Sequence, residues 1–334
     1  MLPDKTTPDE RTDSSGILCG KERRILNRKD LQRIISALSQ ESPTNYLQPR
    51  ITEEEAQRQL RQEDSNGFRK NNYFGKADFD PMIYNKDKED KYIGLRFFGD
   101  PIFSVGAADD PGFLELQRED VVGSYHLLPT DFLPEAKSVI SIFLPYSDRV
   151  LESNLEDPLL PSMEWMFTRV DGQNHLLATG LAVAEALRNE GWQAVVPQAD
   201  SRFQLITIAE KDAEDKHTLT SNWSERHVGY VAGLGTFGLS TCLITRAGSA
   251  GRLISVVTDW PCEPDKKDYQ DYLGYCSRCG ACITRCPAEA IRTDCSKDKG
   301  KCGTYVRKVS ADHSPRYGCG KCQSAIPCQR RSMA

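Results

Sequence analysis

Apolar and polar positions follow two different periods along the middle of the chain, and each period predicts a different element. The run S-V-I-S-I-F-L-P-Y over residues 138–146 is apolar, rich in β-branched residues and ended by a proline, which predicts a short buried strand. Over residues 176–189 the apolar positions return every three or four residues, at Leu177, Leu181, Ala184 and Leu187. That spacing predicts an amphipathic helix, with Gly191 as its stop.

Shorter segments downstream predict strands and one polar helix. Strands are expected at residues 193–197, 242–245 and 253–258, and a turn joins the last two. A polar helix is expected at residues 220–230. Because helices and strands mix without a repeating strand–helix–strand rhythm, the sequence favours an α+β core over a doubly wound sheet.

The first 91 residues are more polar than the rest. Two capping patterns predict helices there, Asn27 with Asp30 and Thr52 with Glu55. Only the first of these helices has a regular apolar face. We therefore predict three parts: a polar arm with helices over residues 1–91, an α+β core over 92–270 and a small C-terminal module over 271–334.

The C-terminal module begins with a dense run of cysteines, C-S-R-C-G-A-C-I-T-R-C-P. Cys276, Cys279, Cys282 and Cys286 have the C-x2-C-x2-C-x3-C-P spacing of bacterial ferredoxins, in which three sulfurs bind one iron–sulfur cluster and the fourth binds a second cluster. A zinc site or a disulfide knot is the alternative. Zinc usually takes two separated pairs rather than four cysteines within eleven residues. The spacing therefore favours iron–sulfur clusters.

A second set of cysteines follows, and we predict crosswise binding of two 4Fe–4S clusters. The cluster-one thiols are those of Cys276, Cys279, Cys282 and Cys328. The cluster-two thiols are those of Cys286, Cys302, Cys319 and Cys322. Five residues separate Cys322 from Cys328, where three are usual in this kind of motif. Cys242, Cys262 and Cys295 lie outside the assignment, and Cys295 is the first substitute if one ligand is wrong.

The amino-acid composition indicates the compartment in which these clusters would be held and the charge around them. Nine of the twelve cysteines lie between Cys276 and Cys328, which argues against a disulfide framework and for a reducing compartment, the cytoplasm. No apolar run is long enough to span a membrane, and the pair Arg23–Arg24 lacks the apolar stretch of an export signal. The net charge is −5, yet from Cys276 onward 12 Lys and Arg face 4 Asp and Glu. Such cations offset the negative charge of thiolate-bound clusters.

The segment G-L-G-T-F-G contains Gly233, Gly235 and Gly238 in a G-x-G-x-x-G spacing. A dinucleotide site needs a strand before this motif and a helix after it, and here the predicted order is reversed. We therefore reject a dinucleotide site. Glycines do provide a backbone that a large flat ligand can approach closely.

With these motifs in hand, the sequence resembles a known family. W-S-E-R-H-V-G-Y-V-A-G-L-G-T-F-G-L-S-T-C-L-I-T, then R-L-I-S-V-V-T-D and the ferredoxin run, resembles epoxyqueuosine reductase and, more distantly, reductive dehalogenases. The resemblance covers about residues 92–334. It implies a nitroreductase-like core that binds cobalamin, a two-cluster ferredoxin-like module that passes electrons to cobalt, and a corrin ring lying against Gly233, Gly235 and Gly238.

Two departures from that family bear on the substrate. Epoxyqueuosine reductase has an acidic proton donor a few residues before its Glu-Arg pair, whereas T-L-T-S-N-W-S before Glu225-Arg226 holds no carboxylate. The chain also ends six residues after Cys328, without the helical repeats that help the queuosine enzyme hold tRNA. We therefore expect a small-molecule substrate and not tRNA.

The reaction needs a titratable group near the acceptor in the core. His227 and Tyr230 are the candidates nearest the glycines; their structural alternatives are a surface or capping histidine and a core aromatic residue. Glu225 and Arg226 are interpreted as an exposed or structural charge pair. The expected function is an iron–sulfur reductase that uses cobalamin and takes electrons from an external donor such as ferredoxin or flavodoxin. The alternative is an electron-transfer or corrinoid-handling protein without its own turnover.

Overall fold

A computed structural model describes residues 27–49, 90–209, 217–313 and 316–333. Its strands are β1 (Ile102–Ala107), β2 (Ser138–Pro145), β3 (Ala194–Val195), β4 (Leu205–Ala209), β5 (His217–Ser221), β6 (Gly235–Phe237), β7 (Leu243–Thr245) and β8 (Gly251–Thr258). Its α-helices are α1 (Arg28–Glu41), α2 (Pro111–Glu115), α3 (Pro129–Phe132), α4 (Asp148–Ser153), α5 (Met163–Val170), α6 (Gln173–Asn189), α7 (Glu225–Val231), α8 (Ala281–Thr284) and α9 (Lys299–Ser310).

A four-stranded antiparallel sheet in the order β1-β2-β8-β3 forms the centre of the fold. The predicted strand at residues 138–146 is β2, and it lies in the middle of this sheet. Two separate hairpins, β4-β5 and β6-β7, complete the strands of the described residues. Helices and an antiparallel sheet are thus mixed, which confirms the predicted mixture of helices and strands.

The two faces of the sheet are covered by different helices. Ile140 and Ile254 face the side on which α6 and α1 pack, and this side holds a large apolar core. Val139 and Val257 face the opposite side, where α7 crosses β2 and β8. Because successive residues of a strand point to opposite faces, both sides of these strands are apolar. Helix α7, which leads into the glycine motif, therefore packs directly on the sheet.

Helix α1 begins at the predicted capping pattern, with the Asn27 side chain accepting from the backbone N–H of Asp30 at 3.2 Å. Leu31 and Ile35 of this helix are fully buried in the core on the α6 side. The helix predicted from Thr52 lies outside the described residues. The boundary at residue 91 stays a prediction, although α1 packs on the sheet.

Helix α6 confirms the predicted amphipathic helix but not the whole of its buried face. Leu181 was expected on the apolar stripe and is instead 43% exposed, so that part of the prediction is wrong. Gly180 and Val183 are buried in its place. A Cβ at Gly180 would meet Ile254 at 2.9 Å, which shows that the helix and the sheet are in close contact at Gly180.

Two other predicted elements differ in extent or pairing. Residues 220–230 do not form one helix, because β5 runs to Ser221 and α7 begins at Glu225. Trp223 interrupts the helix: its indole is buried and donates from Nε1 to Ser255 Oγ of β8 at 2.8 Å. Strand β7 pairs with β6 rather than with the following strand β8. No helix of the described segments is both long and apolar enough to cross a membrane.

Candidate functional site

The four cluster-one thiols come together around one small cavity. Cys276, Cys279 and Cys282 from the ferredoxin run and Cys328 from the chain's last turns line a cavity of about 20 Å³. Gly280 makes this local shape possible, since its positive φ of 74° turns the chain into α8 between Cys279 and Cys282. Two segments that are about 50 residues apart in the chain therefore converge on the same point.

Burial and mutual proximity act on these thiols. Burial, with a smaller contribution from the nearby Cys276 thiol, raises the pKa of Cys282 to about 11. Burial likewise raises the pKa of Cys328 to about 11, and Cys276 and Cys282 contribute to the same shift. Leu239 and Ile326 pack against the group and form an apolar wall. Binding of iron by these thiols would therefore release protons at neutral pH.

The cluster-two thiols form a second group, linked by their mutual effects on pKa. Cys302 lies on α9, and the charges of Cys302 and Cys286 add to burial in raising the pKa of Cys319. Cys322 and Cys242 are neighbouring buried thiols, and their interaction raises the pKa of Cys322 and lowers that of Cys242. Cys242 belongs to neither predicted ligand set, and its place in an apolar strand gave no sign of this contact.

Within the described segments, no three His, Cys, Asp or Glu side chains close on a single-ion site. A cluster of four irons holds its thiolates farther apart than one ion does, so the relevant test is the chemistry of the donors. The cavity presents four cysteine sulfurs in an apolar surrounding. That donor set fits an iron–sulfur cluster better than an ion that prefers oxygen ligands.

A buried lysine ties the cluster-two segment to the loop after α4. Lys321 is fully buried, and its Nζ donates to the carbonyl oxygens of Asn154 at 2.9 Å and Asp157 at 2.7 Å and to Asn154 Oδ1 at 3.3 Å. Three acceptors match the three donors of an ammonium group. Asn154 Nδ2 in turn donates to the carbonyl oxygen of Cys319 at 3.2 Å. The positive charge of Lys321 thus interacts with Cys319, where it would offset the negative charge of a cluster.

The glycine motif lies against this module, but its glycines face the protein itself. Residues 234–240 are all buried. A Cβ at Gly235 would overlap the carbonyl oxygen of Ile244 in β7, and one at Gly238 would meet the Ile244 side chain at 2.9 Å. Gly233 has a positive φ of 85° and turns the chain from α7 into β6. The close β6-β7 hairpin therefore requires glycine at 235 and leaves little room beside Gly238, and the contact of Gly233, Gly235 and Gly238 with a corrin ring stays a prediction.

The two candidate proton donors lie together beside the motif. The His227 ring is 4.8 Å and the Tyr230 ring 6.1 Å from the ring of Phe237. Burial, followed by the charges of His126, Arg226 and Lys299, lowers the pKa of His227 to about 3. Burial also raises the pKa of Tyr230. At neutral pH His227 is therefore uncharged and Tyr230 protonated, and their roles as proton donors stay predictions.

Glu225 is the titratable group that sequence reasoning missed. It is half-buried rather than part of an exposed charge pair, whereas Arg226 is exposed. Its Oε1 accepts from Gln198 Nε2 at 3.1 Å. Burial raises the pKa of Glu225 to about 7, against hydrogen bonds from Ser255 and Gln198 that lower it. A carboxyl group with that pKa can both give and take a proton at neutral pH. Its burial depends on contacts with β8, which no local pattern reveals.

No protein-family model and no curated protein sequence matches this chain. Several solved structures are similar to it at low identity. The epoxyqueuosine reductase of Bacillus subtilis is 18% identical with a TM-score of 0.40, over 68% of this chain and 61% of that chain. That of Streptococcus thermophilus is 18% identical with a TM-score of 0.39, over 68% and 62%.

A reductive dehalogenase whose structure suggests a mechanism for B12-dependent dehalogenation is 15% identical with a TM-score of 0.42, over 69% of this chain and 30% of that chain. A further epoxyqueuosine reductase, 18% identical, was solved with an epoxyqueuosine-modified tRNA stem loop. The chain spans about three fifths of the reductases and under a third of the dehalogenase. The solved structures to which it is similar thus come from the two families that its sequence resembles.

Proposed function

We propose that this chain is an iron–sulfur oxidoreductase with two 4Fe–4S clusters that carry electrons to an acceptor in the α+β core. One observation supports the proposal above all: Cys328, far along the chain from the ferredoxin run, completes a four-thiol cavity with Cys276, Cys279 and Cys282. The crosswise assignment requires this convergence, and a zinc site built on local pairs does not. The clusters would supply one-electron transfer.

The side chains around the thiols would surround the clusters with apolar groups, offset their negative charge and supply a proton. Leu239 and Ile326 pack beside Cys282 and Cys328 and shield them on one side, whereas Cys279 is exposed. Lys321 holds a positive charge beside the cluster-two thiols. Glu225, with a pKa near neutrality, holds a proton between α7 and β8 that a reduction in the core could consume. A reducing compartment, the cytoplasm, follows from thiols that must stay unoxidised.

Iron and sulfide analysis of anaerobically reconstituted protein tests the cluster count. We expect eight irons per chain, and a Cys328→Ser variant should hold about four, because only cluster one would be lost. Cys262→Ser is the matched control and should keep eight, since Cys262 belongs to neither thiol set. Four irons in the unmodified protein would remove cluster two, and one or two zinc ions would overturn the proposal.

A corrinoid as the acceptor rests on the sequence resemblance. The inner sides of Gly235 and Gly238 do not fit it, because Ile244 fills them. If cobalamin binds, we expect it against the partly exposed rings of Tyr230 and Tyr272, which lie beside the glycine motif. The visible spectrum of anaerobic protein titrated with cobalamin is the test. An unchanged cobalamin spectrum would favour the second candidate, an electron-transfer protein without its own substrate turnover.

For the substrate we propose a small molecule rather than tRNA. The segment before Glu225 holds no carboxylate where the queuosine enzyme has its proton donor. The basic C-terminal module should still bind tRNA nonspecifically, and that binding should weaken steeply with salt as counterions are released. Reduction of epoxyqueuosine in tRNA at an enzymatic rate would show this part of the proposal to be wrong.

A further inference from the structure

Three exposed leucines lie in one short loop beside the cluster-two thiols. In N-L-E-D-P-L-L-P, between α4 and α5, Leu155 is 41%, Leu159 56% and Leu160 53% exposed. Asp157 gives the loop a defined shape, since its carboxylate accepts from the backbone N–H groups of Leu159 and Leu160, both at 2.7 Å. An apolar patch on an ordered turn points to a partner, because single exposed leucines are common but grouped ones are not.

The loop is attached to the ligand segment itself. Lys321, next to Cys322, binds the carbonyl oxygens of Asn154 and Asp157, and Asn154 binds the carbonyl oxygen of Cys319. The leucines therefore lie within a few residues of groups that hold two cluster-two thiols. Electron transfer between proteins weakens steeply with distance, so a carrier that docks here would be close to cluster two.

The helix next to the loop adds positive charge. Tyr305 of α9 donates from its hydroxyl to the carbonyl oxygen of Leu159 at 2.7 Å, so this face of α9 adjoins the leucines. Lys301 and Lys308 lie four residues before and three after Tyr305, on the same helix face, and both are exposed. Glu156 and Asp157 are exposed acids in the loop, but the whole segment from Cys276 onward has 12 Lys and Arg against 4 Asp and Glu.

We propose that Leu155, Leu159 and Leu160, flanked by Lys301 and Lys308, form the docking surface for a small ferredoxin of net negative charge that reduces cluster two. The proposal rests on the proposed function, because it requires the cluster. In each encounter one electron passes from the reduced ferredoxin, which is oxidised, to cluster two, which is reduced; no bond forms or breaks. An apolar centre with a charged rim is the usual composition of such a transient interface.

The experiment measures the second-order rate at which a reduced plant-type ferredoxin reduces the reconstituted protein in anaerobic stopped flow. The Leu159→Ser/Leu160→Ser double variant should lower that rate about tenfold, because roughly half of each side chain is available to be buried. Leu114→Ser is the matched control, since Leu114 is 62% exposed on α2, an element outside the loop and α9. It should leave the rate unchanged. Reduction by dithionite, which needs no docking surface, should be the same in all variants.

A second variant tests the charge. Lys301→Glu/Lys308→Glu should slow reduction by ferredoxin and flatten its dependence on salt, because steering by opposite charges is screened. Eight irons and normal dithionite reduction in the unmodified protein establish the proposed function separately. With those in place, an unchanged ferredoxin rate in the leucine variant would overturn the inference. The inference would also be overturned if a flavodoxin reduced the protein and ferredoxin did not. A third contradicting result would be leucine substitutions that change only the self-association of the protein.

Discussion

Replacing Glu225 with glutamine should make the protein's stability less sensitive to pH. The carboxyl group is half-buried between α7 and β8; its Oε1 accepts from Gln198 Nε2 at 3.1 Å, and its Oε2 is buried without a hydrogen-bond partner among the described residues. Its pKa rises from 4.5 to about 7 because burial disfavours the charged form. Glutamine has nearly the same shape and remains neutral at every pH, so the variant removes the titration while keeping the acceptor for Gln198.

The sign and size follow from proton linkage. Below about pH 4.5 the carboxyl group is protonated in both folded and unfolded chains, and it contributes no pH dependence. Between about pH 4.5 and 7 the folded state holds the proton more tightly, so the free energy of unfolding falls as pH rises. Above about pH 7 the carboxyl group is ionised in both the folded and the unfolded chain, and the free energy of unfolding is lowered by the full cost of burying its charge. At about 1.4 kcal/mol per pKa unit the penalty reaches about 3 kcal/mol, an upper figure because the side chain is partly exposed.

The assay compares thermal unfolding of Glu225→Gln and unmodified holoprotein, prepared anaerobically, at pH 6.0 and pH 8.5. We expect the variant's advantage in Tm to grow by about 2–6 °C between the two values. Glu115→Gln, at an exposed carboxylate paired with Arg118, is the matched control and should show no such growth. An equal difference at both pH values would refute the reasoning, because it would mean that Glu225 is already ionised, or still protonated, across the whole range.

Three further outcomes test the site. Cys286→Ser should damage cluster two and spare cluster one by EPR, although Cys286 belongs to the ferredoxin run; damage to cluster one alone would show that the crosswise assignment is wrong. Lys321→Met should lower the free energy of unfolding by roughly 2–4 kcal/mol, because two buried oxygens of Asn154 and the partly buried carbonyl oxygen of Asp157 lose their donor, whereas the exposed Lys308→Met should change it by less than about 0.5 kcal/mol. Gly235→Ala should prevent folding of the β6-β7 hairpin, measured as loss of soluble holoprotein; the same change at Gly99, where a Cβ would have ordinary contacts at 3.8 Å, should be tolerated.

Local patterns in the sequence predicted the features that depend on local spacing. The ferredoxin run could be assigned to clusters because ligand geometry is encoded in intervals of two and three residues. Strand β2 and helix α1 were predicted because an apolar run and a capping box act within a few residues. The mixture of helices with an antiparallel sheet followed from the order of such segments.

Features that arise from contacts between distant segments could not be predicted from local patterns in the sequence. Leu181 has the correct helical spacing, yet Gly180 lets the sheet approach at 2.9 Å from its would-be Cβ, which turns the buried face of α6 away from Leu181. The burial of Glu225 depends on Ser255 and Gln198 in the same way. The glycine motif resembled a ligand loop, but its spacing matches the needs of a tight hairpin against Ile244.

The bond between Lys321 and Asn154 also bears on how the chain reaches its final shape. Its partners are 167 residues apart, and the lysine's three acceptors include no carboxylate. During synthesis on the ribosome, the loop that carries Asn154 emerges long before Lys321. Its oxygens are therefore hydrated by water until Lys321 has been made. Contacts of such sequence separation form slowly, because a long loop has to close before they repay its entropy. We therefore expect the leucine-bearing loop to become ordered only when the second cysteine group docks, so that maturation of this surface and of the cluster-two thiols is a single event.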